Sequence, residues 1–188
     1  MMQHNETPNP KQEGRALALY AIGILSFTAV VLTIAAVIGA HRAGRPMPLG
    51  TPIPDEGHMH VPAFSSFTNA HHPPSSGPHY IEALKVRFYS TPVSEGSYVH
   101  NLEHGYIVVL FKRTVNGAVL AEQLQDLPDR FPVGKYGGVK LIVAPYDDMD
   151  APIVALAWDR ELPMNVVSRD QLLGFYRQYV DRGPEDVP

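Results

Sequence analysis

Cysteine is absent from the 188 residues, so neither a disulfide nor a thiolate ligand contributes to this protein. That excludes dithiol redox chemistry whatever fold the chain adopts. It also removes the usual marker of an oxidising compartment without arguing against one. A basic stripe is missing as well. Four of the 15 Lys/Arg and two of the 19 Asp/Glu precede residue 46, so residues 46–188 carry a formal −6 with His neutral. No nucleic-acid partner is expected from such a surface. Ser75-Ser76-Gly77 lacks the Gly-x-Ser-x-Gly elbow of a serine nucleophile, and Gly137-Gly138 reads as a turn rather than a phosphate loop.

What the chain does have is one long uncharged run, residues 16–40. As a helix it is roughly 37 Å long, enough for a hydrocarbon core of about 30 Å. The run exceeds the ~7–15 residues of a signal-peptide core, and Ile38-Gly39-Ala40 is only a fair cleavage site. A retained transmembrane anchor is therefore expected in place of a cleaved signal. Residues 1–15 are polar, contain Pro8 and Pro10, and read as a mobile tail. Lys11 and Arg15 precede the run while Arg42 and Arg45 follow it, so the positive-inside count is nearly even. The shortness of the tail favours keeping it inside. The expectation is a single-pass protein of the cell (inner) membrane with an extracytoplasmic, periplasmic C-terminal domain.

Residues 41–62 read as a linker, because Pro46, Pro48, Pro52, Pro54 and Pro62 favour extended backbone. Residues 63–188 form the domain. Its first part, including His72-Pro73-Pro74-Ser75-Ser76-Gly77-Pro78-His79, cannot be helical and reads as an irregular loop. Strands are expected at 85–89, 106–111, 139–144 and 153–158, the second being a continuous apolar, β-branched run. Helices are expected over 118–127, ended by Pro128, and from Ser168 onward with Leu172, Leu173, Phe175, Tyr176 and Tyr179 buried. Residues 146–150 read as a turn joining an antiparallel pair. The fold class is α+β, a transmembrane helix followed by helices packed on a small mixed sheet. Thioredoxin-like and ferredoxin-like arrangements both fit that order.

Seven of the nine histidines fall between His58 and His104, and imidazole is the commonest protein metal ligand. His100-Asn101-Leu102-Glu103-His104 matches the His-x-x-Glu-His order of zinc hydrolases, where glutamate is the general base. Gly105 and the strand expected from Tyr106 leave no room for the long helix that motif needs. His71, His72 and His79 lie in the proline-rich loop. His58 and His60 alternate in an extended segment, which points both rings to one face. A nitrogen and carboxylate site drawing His79 from the loop and His100 or His104 from the strand entrance suits zinc, copper, nickel or iron, with geometry deciding between them. The alternative is a polar network without an ion, in which Glu103 pairs with an arginine such as Arg87.

Three stretches resemble the DUF3105 family of bacterial membrane-anchored proteins. They are Pro74-Ser75-Ser76-Gly77-Pro78-His79-Tyr80, Val99-His100-Asn101-Leu102-Glu103-His104-Gly105, and Val143-Ala144-Pro145-Tyr146 with residues 151–158. The resemblance covers about residues 70–182 and leaves the tail, anchor and linker outside. It implies that His79, His100, Glu103 and His104 belong to one feature, the candidate metal ligands. His58, His60, His71 and His72 gain nothing from it.

The expected function is a non-enzymatic accessory subunit of a larger respiratory or photosynthetic membrane complex, with the membrane and other integral subunits as partners. Its histidine cluster would hold one structural copper or zinc ion. The alternatives are a copper or zinc binding and delivery module, and a zinc hydrolase.

Overall fold

The computed structural model describes residues 10–43 and 47–188. The chain divides into two units, Met1–Met47 and Pro48–Pro188. The first contains helix α1, Pro10–Ala43. Within it Leu17–Gly39, 23 residues, is long and apolar enough to cross a membrane. The hydroxyls of Thr28 and Thr33 donate to the carbonyls of Ile24 and Ala29, each at 2.8 Å. Both are thus satisfied inside the helix, as a hydrocarbon environment demands. Residues 10–15 and 41–43, read above as tail and linker, are part of this helix. Residues 1–9 and 44–46 lie outside the described residues.

The second unit begins with short strands β1 (Thr51–Pro52), β2 (His60–Val61), β3 (His79–Tyr80) and β4 (Arg87–Phe88). Helix α2 (Glu95–Glu103), strand β5 (Ile107–Phe111) and helices α3 (Gly117–Leu124) and α4 (Leu127–Arg130) follow. The chain ends with β6 (Leu141–Pro145), β7 (Ile153–Ala157), β8 (Arg160–Met164) and α5 (Arg169–Tyr179). Residues 48–62, read as linker from their prolines, therefore contribute two strands to this unit.

Six strands form a mixed sheet in the order β1-β8-β7-β5-β6-β4. β5 pairs parallel with β6 and antiparallel with β7, and β4 lies parallel on the far side of β6. A ferredoxin-like sheet has only antiparallel neighbours, so the parallel pairs decide for the thioredoxin-like order. The expected antiparallel pairing across 146–150 does not occur. β5 lies between β6 and β7 instead, and its apolar residues alternate to the two faces of the sheet.

Ile107, Val109 and Phe111 face a core with Leu120, Leu124 and Leu127 from the α3–α4 region and Leu172, Phe175 and Tyr176 from α5. Val108 and Leu110 face a second core with Tyr98, Val99 and Leu102 of α2. Such strands read as continuous apolar runs for that reason. The helix expected over 118–127 is split: α3 stops at Leu124, and Pro128 sits in the first turn of α4, where a missing N–H costs nothing. Ser168 caps α5 as expected, its side chain accepting from Gln171 N.

Besides the two-residue strands β1, β2 and β3, two longer elements were not foreseen. β8 contains Pro163, a poor strand residue, which is tolerated because β1 covers only Arg160 and Glu161 on the outer side. α2 was hidden because its buried residues include Gly96, His100, Asn101 and Glu103, which break any apolar stripe.

Candidate metal centre

Helix α2 delivers a different side chain to a different task at each of its last positions. Asn101 grips the backbone of Leu84, accepting from its N–H at 2.7 Å and donating to its carbonyl at 3.0 Å. Leu102 enters the core. His100 and Glu103, three apart and so on one face, turn toward β2 and β3. His104 is the C-cap residue. The two histidines of the motif thus come from a helix and its end, not from a strand entrance. Their rings are 4.5 Å apart between centroids.

Strand β3 pairs parallel with β2, setting His79 opposite His60. Their rings meet edge to face at 4.7 Å, and His100 lies 5.2 Å from His60 and 5.5 Å from His79. The proline-rich loop is pinned before it reaches β3. Ser76 Oγ accepts from Glu56 N at 3.0 Å, and the Glu56 carboxylate accepts from the amides of Ala70 and His71. Gly77, at φ +104°, admits no side chain, since a Cβ there would stand 2.6 Å from Asn69 Oδ1.

Glu103 is at the centre of the constellation and wholly buried. His79 Nε2 lies 2.9 Å and His60 Nε2 3.2 Å from its Oε2. His58 Nδ1 approaches Oε1 to only 3.5 Å, and Oε1 has no hydrogen-bond partner. A buried carboxylate without full compensation is costly. Nδ1 of His79 donates to the carbonyl of Gly77 at 2.8 Å, since a carbonyl only accepts. Its Nε2 therefore presents Glu103 either a second proton or a lone pair. A lone pair facing a carboxylate at that distance is favourable only with a proton or a metal ion shared by the two groups.

His100 is oriented the same way, Nδ1 donating to Tyr80 O at 2.8 Å. Burial, and then the neighbouring His104, lower its pKa from the ordinary histidine value. The neutral ring keeps a lone pair on Nε2. In both residues a backbone carbonyl fixes the ring and leaves the other nitrogen for a ligand, the usual outer-shell device of metal-binding histidines.

His60, His79, His100 and Glu103 offer ligand atoms within 4.8 Å of one another. Ligands of a tetrahedral zinc at about 2.0–2.1 Å from the ion lie about 3.3 Å apart. The 2.9 and 3.2 Å separations at Oε2 are within a few tenths of that. Of the four expected ligands, His79, His100 and Glu103 come together here. His104 turns instead to Glu185, with Nε2 3.2 Å from Oε2. It forms a separate group with Glu103 and Glu185.

His60 is the candidate ligand that the sequence pattern left outside the expected set. Its signal was the alternation with His58, since both rings do reach Glu103. His71 and His72 stand apart, against Glu161 at 3.0 Å and Glu95 at 3.7 Å. Arg87 does not pair with Glu103; its guanidinium lies over the Tyr89 ring at 4.4 Å.

The chain belongs to the family described as "Protein of unknown function (DUF3105)", whose model matches residues 60–188. The match begins at His60, so His60, His71 and His72 fall within it and only His58 of the clustered histidines precedes it. No curated protein and no solved structure matches the chain.

Proposed function

We propose that this chain is a non-enzymatic, membrane-tethered, extracytoplasmic domain that holds a divalent transition ion, zinc or copper, through His60, His79, His100 and Glu103. The observation that carries this reading is the fully buried Glu103 carboxylate, which among the described residues is approached by imidazole nitrogens and has one oxygen without a hydrogen-bond partner. Imidazole and carboxylate ligands without thiolate suit these two metals. Four protein ligands complete a tetrahedral shell and leave no open position, the pattern of a structural site rather than a catalytic one. The ligands come from β2, β3 and α2, so the ion fastens the irregular N-terminal lead to the helix.

The test is elemental analysis of the full chain in mild detergent, purified without a histidine tag. At least one equivalent of zinc or copper is expected, lost in His79→Ala and kept in His71→Ala. Metal-free protein whose melting temperature ignores chelator overturns the reading.

Association with other integral membrane subunits is a secondary proposal. The small residues Ala21, Gly23, Ala29, Ala36 and Gly39 of α1 permit close helix contact. Co-purification in the same detergent tests it, and a monodisperse monomer contradicts it.

A further inference from the structure

The C-terminal tail closes over the end of α2 and is held there by several independent contacts. Glu185 N donates to Glu103 O at 3.1 Å, and Asp181 N donates to Gly105 O at 2.9 Å. Gly183 has no room for a side chain, as a Cβ would meet Glu103 O at 2.0 Å. Lys140 Nζ donates to the carbonyls of His104 at 2.9 Å and Val187 at 2.7 Å, and pairs with Asp181 at 2.9 Å. These contacts set Glu185 against His104, with Oε2 3.2 Å from Nε2. The ligand atoms of Glu103, His104 and Glu185 lie within 4.8 Å of one another.

Glu103 is thus common to two groups of ligands. Oε2 is the oxygen that His60 and His79 approach. Oε1 is buried and has no hydrogen-bond partner. A carboxylate with one oxygen committed and the other unpartnered has the valence to bridge two cations. Both groups mix buried and accessible ligands: His79 and Glu103 are wholly buried while the His60 side chain is 37% exposed, and those of His104 and Glu185 are 22% and 43% exposed.

We propose that a second divalent transition ion binds Glu103, His104 and Glu185, sharing the Glu103 carboxylate with the ion held by His60, His79 and His100. This rests on the reading of the first site given above. Sharing places the ions about 3.5–4 Å apart, the separation of carboxylate-linked pairs. The second ion has only three protein ligands and completes its shell with water.

The experiment titrates zinc into the chelator-stripped full chain in detergent and counts tightly held equivalents. Two are expected in the wild type, the second about tenfold or more weaker than the first. His104→Ala and Glu185→Gln alter partly exposed side chains, and unchanged melting in chelator verifies their folding. Each is expected to hold one equivalent with the affinity of the first site. A wild type that saturates at one equivalent overturns this proposal and leaves the first site standing, as does a pair of variants that still hold two. Saturation at zero overturns both. Copper gives an independent readout. One equivalent is expected to show the paramagnetic resonance of an isolated ion, and the second to broaden or quench it through the shared carboxylate. Two additive, uncoupled signals contradict the sharing.

Discussion

Glu103 places a carboxyl group where water does not reach, and three imidazole rings stand around it. Replacing it by Gln keeps the shape and removes the charge. In zinc-loaded protein, Glu103→Gln is expected to weaken zinc about tenfold or more, at about 1.4 kcal/mol per tenfold, as measured by competition with a chelator of known affinity. Unchanged zinc affinity contradicts its place among the ligands. Asn101 is a control on the same helix. Asn101→Ala removes both hydrogen bonds to the half-buried Leu84 backbone, at about 1 kcal/mol for each. Denaturant unfolding should register that loss while zinc stoichiometry stays as in the wild type. His79, His100 and Glu103 were legible from the spacing of chemically active residues in two short motifs. His60 was not singled out, because it stood in a proline-rich lead that reads as linker, and residue type alone does not reveal which lead residues return to the domain.

Strand β2 has only two residues, and its parallel partner β3 is equally short. Two residues a side are too few for independent stability, so their pairing depends on what holds His60 and His79. Hydrogen exchange followed in zinc and in chelator is expected to show slower exchange on zinc binding at the amides of Gly77 and His79, which donate to Gly57 O and Met59 O. Equal exchange in both conditions contradicts the fastening role. The sheet itself should be indifferent to metal. Its centre is β5, where Leu110→Ala removes a wholly buried side chain and is expected to cost about 2–5 kcal/mol by denaturant unfolding. β5, β6, β7 and α5 were legible as apolar runs or an apolar face with a cap. α2 was not, since it buries polar residues for the site's sake, and β8 was not, since hairpin pairing overrides its polar, proline-containing sequence.

The molecule as a whole combines an apolar helix with a mixed sheet covered by helices on both faces, and the cluster sits where the proline-rich lead meets α2. An ion that binds only the folded state stabilises it by about 2.7 kcal/mol at 100 times its Kd. For a unit of this size that corresponds to roughly 5–10 °C in Tm, read by melting the full chain with zinc and with chelator. Coincident melts contradict a structural ion. The long apolar helix was legible because length and lack of charge suffice to define it. The strand order was not, because apolar runs identify strands without saying which become neighbours. β5, β6 and β7 are equally buried on both faces, so burial does not tell which of them lies in the middle.

Zinc-edge X-ray absorption on the full chain loaded with one equivalent of zinc tests the central claim most directly. Four light-atom ligands at about 2.0–2.1 Å are expected, with outer-shell scattering from three imidazole rings. A shell of water oxygens with one imidazole or none contradicts it.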